Sequence, residues 1–162
     1  MTAGIRASSD GLFGTLQVAG GDVATFNASG NFLVGTAANP AGTGQIATTG
    51  GILSRVNTLT SVTSPWAWSS ASYDQQSITA LANVLTINAD AGTPVDGQKT
   101  IFRIKDNGSP QVLTWVTTGT KAFRVVGAIL PITTLAGKTV YVGCVYNGAD
   151  AFWDVIAVAQ QA

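Results

Sequence analysis

Residues 139–146 have the sequence TVYVGCVY, and this stretch indicates the fold class. Successive side chains of a strand point to opposite faces, so each face can be read from every second residue. One face holds Val140, Val142, Cys144 and Tyr146, and the other holds Tyr141, Gly143 and Val145. Both faces are apolar. A strand of an antiparallel sandwich with two apolar faces needs a second cover, and a neighbouring subunit is the simplest one.

Similar short runs, separated by turns rich in Gly and Asn, flank this stretch on both sides. In the run 100–105, Phe102 and Ile104 point one way and the alternate residues, which include Arg103, point the other, as in a strand with one wet face. Seven strands are predicted, at 76–81, 83–88, 100–105, 112–116, 122–126, 139–146 and 152–158. Their number and spacing predict an all-β protein in which residues 66–162 form an antiparallel β-sandwich of the jelly-roll type.

Residues 1–65 differ in composition from the rest of the chain. They contain four charged residues and no Trp, Tyr or Lys, and glycines separate short apolar runs at 13–18, 22–26 and 31–34. This pattern predicts an extended Gly-rich N-terminal arm of short strands, with too little apolar bulk to fold alone. Residues 36–50 are predicted to be an irregular linker or extended arm, and residues 52–63 are assigned to extended structure.

The composition excludes several classes of function. The chain has 162 residues, 8 Lys+Arg, 8 Asp+Glu, no His and one Cys, and all its acidic residues are aspartates. Histidine acid/base chemistry, His-ligated metal sites and an internal disulfide are therefore excluded. Zero net charge argues against a nucleic-acid partner. Charged residues are only 10% of the chain, against about a quarter in a typical domain, so we expect other chains to cover much of the surface.

Targeting segments are not evident in the sequence. The N-terminus has no basic region followed by an apolar core, which is the pattern of a secretory signal. One of the longest apolar stretches, 125–132, is far shorter than the roughly 20 residues that a membrane span needs. The lone cysteine fits synthesis in a reducing cytoplasm. We therefore expect no membrane partner.

Residues with catalytic potential have simpler structural explanations. Cys144 has no His partner and is predicted to be a small buried apolar residue. The pairs Asp90/Asp96 and Asp150/Asp154 could in principle serve glycoside hydrolysis, and oxygens of the loop 88–97 could hold Ca²⁺, but turn capping is favoured. We predict no catalytic, cofactor-binding or metal-binding residue and no enzymatic activity.

Trp66 and Trp68 lie on one face of an extended segment. Two indoles in this arrangement could stack on a sugar or on a host surface. They could also anchor the arm onto the sandwich, and this second interpretation is favoured.

Several motifs from residue 73 onward form a recognisable series. They are DGQ (96–98), IFRIKD (101–106), QVLTW (111–115), LPITT (130–134), GKTVYVG (137–143), VYN (145–147) and WDV (153–155). This region resembles a small β-sandwich domain of tailed-bacteriophage virion proteins. The N-terminal segments LQV (16–18) and VATFNASGN (23–31) are similar to the Gly-punctuated strand repeats of phage fibre shafts.

The resemblance implies a jelly roll that forms a homotrimer, as on phage head decorations, head fibres and tail fibres. It implies a capsid decoration (cement) or head-fibre protein, with the arm contacting the major capsid protein or another virion protein. In that trimer, Tyr141, Val145 and Trp153 are the predicted inter-subunit contacts. The alternative is a segment of a tail fibre or tail spike that binds a host cell-surface glycan through Trp66 and Trp68. Both interpretations place the protein in the virion.

Overall fold

The computed structural model of the protein describes residues 54–162 in full and, before them, the backbone of four short strands. These are Ile5–Arg6 (β1), Thr15–Val18 (β2), Gly21–Phe26 (β3) and Phe32–Val34 (β4). Every regular element of the described residues is a strand, which confirms the all-β prediction for them. Among these residues there is also no helix with the length and apolar character to span a bilayer.

The chain divides into two compact units, Met1–Ile52 and Leu53–Ala162. In the first unit β1 to β4 form an antiparallel sheet in sequential order. The strands β2, β3 and β4 coincide with the predicted runs 13–18, 22–26 and 31–34. The predicted linker 36–50 lies outside the described residues. Residues 54–65, assigned from the sequence to the arm, belong to the second unit.

The second unit contains eight strands. They are Val56–Leu59 (β5), Gln75–Leu81 (β6), Leu85–Ile87 (β7), Lys99–Asp106 (β8), Leu113–Trp115 (β9), Phe123–Val125 (β10), Thr139–Asn147 (β11) and Phe152–Gln160 (β12). Each of the seven runs predicted from the sequence overlaps one of them, so these strand predictions are confirmed. The strands form a six-stranded sheet in the order β10-β12-β11-β8-β6-β5 and a two-stranded sheet of β7 and β9.

The first part of this unit is a stack of parallel strands. In the large sheet Val56 of β5 lies opposite Gln75 of β6, which lies opposite Ile101 of β8. In the second layer Trp66 forms a bridge to Ile87, and β7 pairs in parallel with β9. The chain therefore passes once through each layer per turn and stacks three such turns. We call this arrangement solenoid-like.

The predicted antiparallel jelly roll is wrong in its topology. The pairs β5–β6, β6–β8 and β7–β9 are all parallel. The sequence pattern could not show this, because side chains alternate with a period of two in parallel and antiparallel strands alike. Direction depends on the connections, and here β6 reaches β8 through β7 in the other layer rather than through a hairpin.

The C-terminal strands complete the large sheet mainly through antiparallel pairs. β11 lies antiparallel to β8, and β12 lies antiparallel to β11 with an irregularity in the pairing between Gly143 and Cys144. β10 is parallel to β12 at the edge of the sheet. The tight turn before β11 requires Gly137, whose φ of 69° is in the left-handed region that side chains disfavour.

The hydrophobic core lies between the two layers and is centred on Phe102. The ring of Phe102 meets other aromatic rings in edge-to-face geometry, a favourable arrangement because ring edges are positive and ring faces negative. Its centroid distances are 4.8 Å to Trp68, 5.5 Å to Trp115, 5.5 Å to Phe123 and 6.1 Å to Trp66. The alternation predicted for 100–105 is confirmed, since Phe102 and Ile104 are buried in this core.

Candidate interaction surfaces

The buried aspartate Asp90 holds a loop together. Its carboxylate accepts hydrogen bonds from the Ser70 amide (3.0 Å), the Ser70 hydroxyl (2.5 Å), the Gly92 amide (2.8 Å) and the Trp153 indole (3.3 Å). Asp96, its predicted partner, instead accepts from the Gly148 amide at 2.8 Å. In the described part of the chain no group of three or more metal-binding side chains comes together. These two carboxylates thus fasten backbone segments, as capping groups do.

The second aspartate pair is held by an arginine of the edge strand β10. The Arg124 guanidinium lies 2.7 Å from Asp150 and 2.6 Å from Asp154. Its hydrogen bond to Asp154 lowers the pKa of that carboxyl against the opposing effect of burial. A general acid of a glycosidase needs the opposite shift, a raised pKa. The arrangement is therefore that of an ion-pair network and supplies no proton donor at Asp154.

Cys144 lies on the inner face of β11, among the core side chains. Burial, with a smaller contribution from the charge of Asp154, raises the pKa of its thiol to about 12. The thiolate is the nucleophilic form of cysteine, so this side chain is unreactive near neutral pH.

The tryptophans singled out from the sequence are core residues in the structure. Trp66, Trp68 and Trp153 are 7%, 2% and 0% exposed. The Trp68 indole donates to the Asn88 carbonyl at 2.8 Å and stacks against Phe123. In this conformation Trp66 and Trp68 offer no ring face to a glycan, and Trp153 offers no surface to another subunit. All three tryptophans pack within the core of the second unit, Leu53–Ala162.

The two other predicted contact residues lie on the outer face of the large sheet, away from the core. Tyr141 is 42% exposed, and Val145 is half-buried. Tyr141 is opposite Arg103 of β8 and Ala159 of β12. The structure thus brings Tyr141 and Val145 to one surface, apart from Trp153.

An apolar groove lies along β9, and the sequence analysis did not identify it. Residues 131–134 run beside the start of β9, where the Leu113 amide donates to the Ile132 carbonyl and the Trp115 indole donates to the Pro131 carbonyl, both at 2.9 Å. The groove has a volume of about 560 Å³ and is lined by Val112, Leu113, Thr114, Trp115, Thr117, Leu130, Ile132 and Thr133. Its apolar rim is largely in solvent, with Ile132 76% exposed.

The only sequence signal for this groove is the apolar stretch 125–132. Its residues do not alternate with polar ones as those of a half-buried strand do. Only Val125 of this stretch belongs to a strand, as the last residue of β10, and Ile129, next to Leu130 of the lining, is 85% exposed. An apolar run that is neither a strand nor a helix is a sign of an exposed apolar surface.

The chain was also compared with known proteins. No family model, curated protein or solved structure matches it. The surfaces of the molecule and its sequence motifs are therefore the features that indicate its function.

Proposed function

We propose that this chain is a non-enzymatic structural protein of a tailed-phage virion. In this proposal it acts as a homotrimer that decorates or cements the capsid, or forms a head fibre, and it attaches through its N-terminal region to the major capsid protein or another virion protein. The class of protein comes from the sequence resemblance. Association with other chains is supported by the apolar groove along β9.

The groove supports association because its surface is costly to leave in water. Val112, Ile129, Ile132 and Leu135 are all exposed in this region. Contiguous apolar surface of this kind on a soluble protein marks an interaction site. Burial of such side chains contributes roughly 25 cal/mol per Å² of apolar area removed from water. The low charge of the whole chain is explained in the same way, since a surface that faces another chain needs few charges.

A closed ring of identical chains can use such a groove. In a trimer each contact joins two different patches, so the groove of one copy would receive another part of its neighbour. A stable interface of this type buries about 1,200–2,000 Å² in total, of which the groove would form the apolar centre.

Light scattering on the full-length protein tests the oligomer. We expect a mass three times that of the 16.5 kDa chain at micromolar concentration. Ile132→Asp should shift the mass toward one chain, because trimer formation would bury the introduced carboxylate and remove its hydration. The matched control is Ile156→Asp, which changes an isoleucine of β12 that is 56% exposed and lies outside the groove, and it should leave the mass unchanged. A wild-type mass of one chain would contradict the trimer.

Immunogold electron microscopy on intact virions tests the location. Antibodies raised against residues 66–162 should label the heads if the protein is a decoration, cement or head-fibre protein. Labelling confined to the tail would replace this role with that of a tail-fibre segment. Absence of label from purified virions that contain the gene would contradict both.

A further inference from the structure

The outer face of the large sheet carries a row of positive charges. Lys99, Arg103 and Lys105 all lie on β8 and, being at alternate positions, all point away from the core. With a rise of about 3.4 Å per residue, Arg103 lies about 7 Å from Lys105 and about 14 Å from Lys99 along the strand. β8 is an interior strand, with β6 on one side and β11 on the other, so the row runs across the middle of the sheet rather than along its edge.

No acidic side chain of residues 54–162 forms an ion pair with these three cations. The ion pairs in this part of the chain use Arg55 and Arg124. Lys105 is near enough to Asp106 to contribute to the lowering of its pKa, but that carboxylate points inward. Each of the six aspartates of this region already accepts hydrogen bonds from other groups. The donors are Arg55 for Asp74, Ser70 and Gly92 for Asp90, Gly148 for Asp96, Thr134, Gly108 and Gly137 for Asp106, and Arg124 for Asp150 and Asp154.

Two shielded donors on the same face also lack an acceptor. The Arg103 Nε and the Gln75 Nε2 atoms are hidden from solvent, and neither has a hydrogen-bond partner. Gln75 lies on β6 opposite Ile101, and Arg103 lies two residues further along β8. Buried donors are normally paired, so this face is richer in donors than in acceptors.

Apolar side chains surround the charges. Ile101 lies between Lys99 and Arg103 on β8 and is exposed, as is Tyr141, which lies directly opposite Arg103. The residue opposite Ile101 on β11 is Gly143, so no side chain covers Ile101 from that position. Protein interfaces are enriched in arginine and tyrosine at their centre and have a polar rim. The basic face has this composition, since Arg103 and Tyr141 lie next to Ile101 and lysines lie at the margin.

We propose that this basic face, formed by Lys99, Ile101, Arg103, Lys105 and Tyr141, docks an acidic surface of a partner protein. A carboxylate of the partner pairs with Arg103, and an apolar side chain of the partner covers Ile101 and Tyr141. A second copy of this chain cannot dock face to face here, because the two rows of cations would repel each other. The inference goes beyond the proposed function, since it requires neither the trimer nor a place in the virion.

The test uses a fluorescent peptide that carries three glutamates, spaced as Lys99, Arg103 and Lys105 are, with leucines between them. Fluorescence anisotropy with the full-length protein should show binding that weakens as salt is raised. Arg103→Gln should lower the affinity about tenfold, since arginine at the centre of an interface contributes strongly. The matched control is Lys121→Gln, which removes the same charge just before β10, separated from β8 by two strands, where Lys121 donates to the Gly92 carbonyl, and it should leave the affinity unchanged.

Further variants and probes distinguish a protein partner from a polyanion. Tyr141→Ser should weaken binding of the peptide as well, because a protein partner uses the apolar part of the face. Tighter binding of heparin or of an oligothymidine than of the peptide would overturn the inference in favour of a sulfated glycan or a nucleic acid. An affinity that falls equally in Arg103→Gln and Lys121→Gln would also overturn it, because it would reflect net charge alone.

Discussion

Asp106, at the end of β8, is a buried carboxylate that serves the local structure. It accepts hydrogen bonds from the Thr134 hydroxyl (2.6 Å), the Gly137 amide (2.7 Å) and the Gly108 amide (2.9 Å). Burial alone would raise the pKa of this carboxyl, but the hydrogen bonds and the charge of Lys105 outweigh burial and lower it. The charged form is thus favoured in the folded protein, which links its protonation to stability.

This linkage predicts how stability depends on pH. A carboxyl with a lowered pKa in the folded state stabilises the protein above its unfolded pKa of about 4, and this stabilisation is lost as the pH falls through the folded value. The difference in free energy of unfolding between the wild type and Asp106→Asn should therefore be at its maximum at pH 7 and should decrease below about pH 4. Denaturant unfolding over this range measures it, and a difference that grows on acidification would contradict the assignment.

Gly92 is required by close contact rather than by backbone conformation. A Cβ atom there would lie 2.8 Å from the Ala71 amide nitrogen and 2.9 Å from the hydroxyls of Ser69 and Ser70. Gly92→Ala should therefore lower the free energy of unfolding by about 1–3 kcal/mol, as overpacked sites do. Gly127→Ala is the control, because its Cβ would meet no atom within 4 Å. Equal unfolding midpoints for the two variants would contradict this prediction and would show that the loop around Asp90 shifts to accommodate the added methyl group.

At the scale of residues, the sequence predicted turns better than contacts. Gly-rich turns were expected between the predicted strands, and Gly97 and Gly137, which lie in two of these turns, both have positive φ. The need for glycine at position 92 was not predictable, because it arises from Ser69, Ser70 and Ala71, which are remote in sequence. The burial of Trp66 and Trp68 was one of two open interpretations, since an apolar ring can face either a core or a ligand.

The first strand of the parallel stack is fastened by an ion pair. Arg55, just before β5, donates from Nη2 to Asp74 Oδ1 at 2.7 Å and from Nη1 to the Ala71 carbonyl at 2.9 Å. The amides of Asp74 and Gln75 donate in turn to the Arg55 carbonyl. Because β5 has a single neighbour in its sheet, this connection holds the outermost turn of the stack to the next one.

Asp74→Asn should therefore loosen β5 without unfolding the protein. We expect faster amide hydrogen exchange in residues 54–60 and a loss of less than about 1 kcal/mol in global stability, as for other partly exposed ion pairs. Asp150→Asn, which breaks an exposed contact of Arg124 at the opposite edge of the sheet, is the control. Exchange mass spectrometry that shows no change confined to β5 would contradict this role.

At the scale of elements, strand positions were predictable and strand partners were not. The alternation of Phe102 and Ile104 with charged neighbours identified β8 and its buried face. Nothing in that alternation indicated that β8 pairs in parallel with β6 and antiparallel with β11. Those pairings depend on how the chain crosses between the layers, which side-chain alternation does not record.

At the scale of the whole molecule, composition was more informative than any single motif. A chain with 10% charged residues was expected to have covered surfaces, and the groove along β9 is an apolar surface of the kind expected. Its position was not predictable, because Val112 and Ile132 come from separate segments that only the fold brings together. The trimer and the virion role stay predictions, with the mass measurement and the immunogold labelling as their tests.

The parallel stack has a consequence for how such a molecule changes in length during evolution. Each turn of chain places one segment in each layer and pairs it in parallel with the neighbouring turn. Duplication or deletion of one turn would thus move β5 by a single strand spacing, about 4.8 Å, relative to the C-terminal strands β11 and β12. The length of the stack can therefore change in steps of one strand spacing, while the strands at its two ends keep their own sequences.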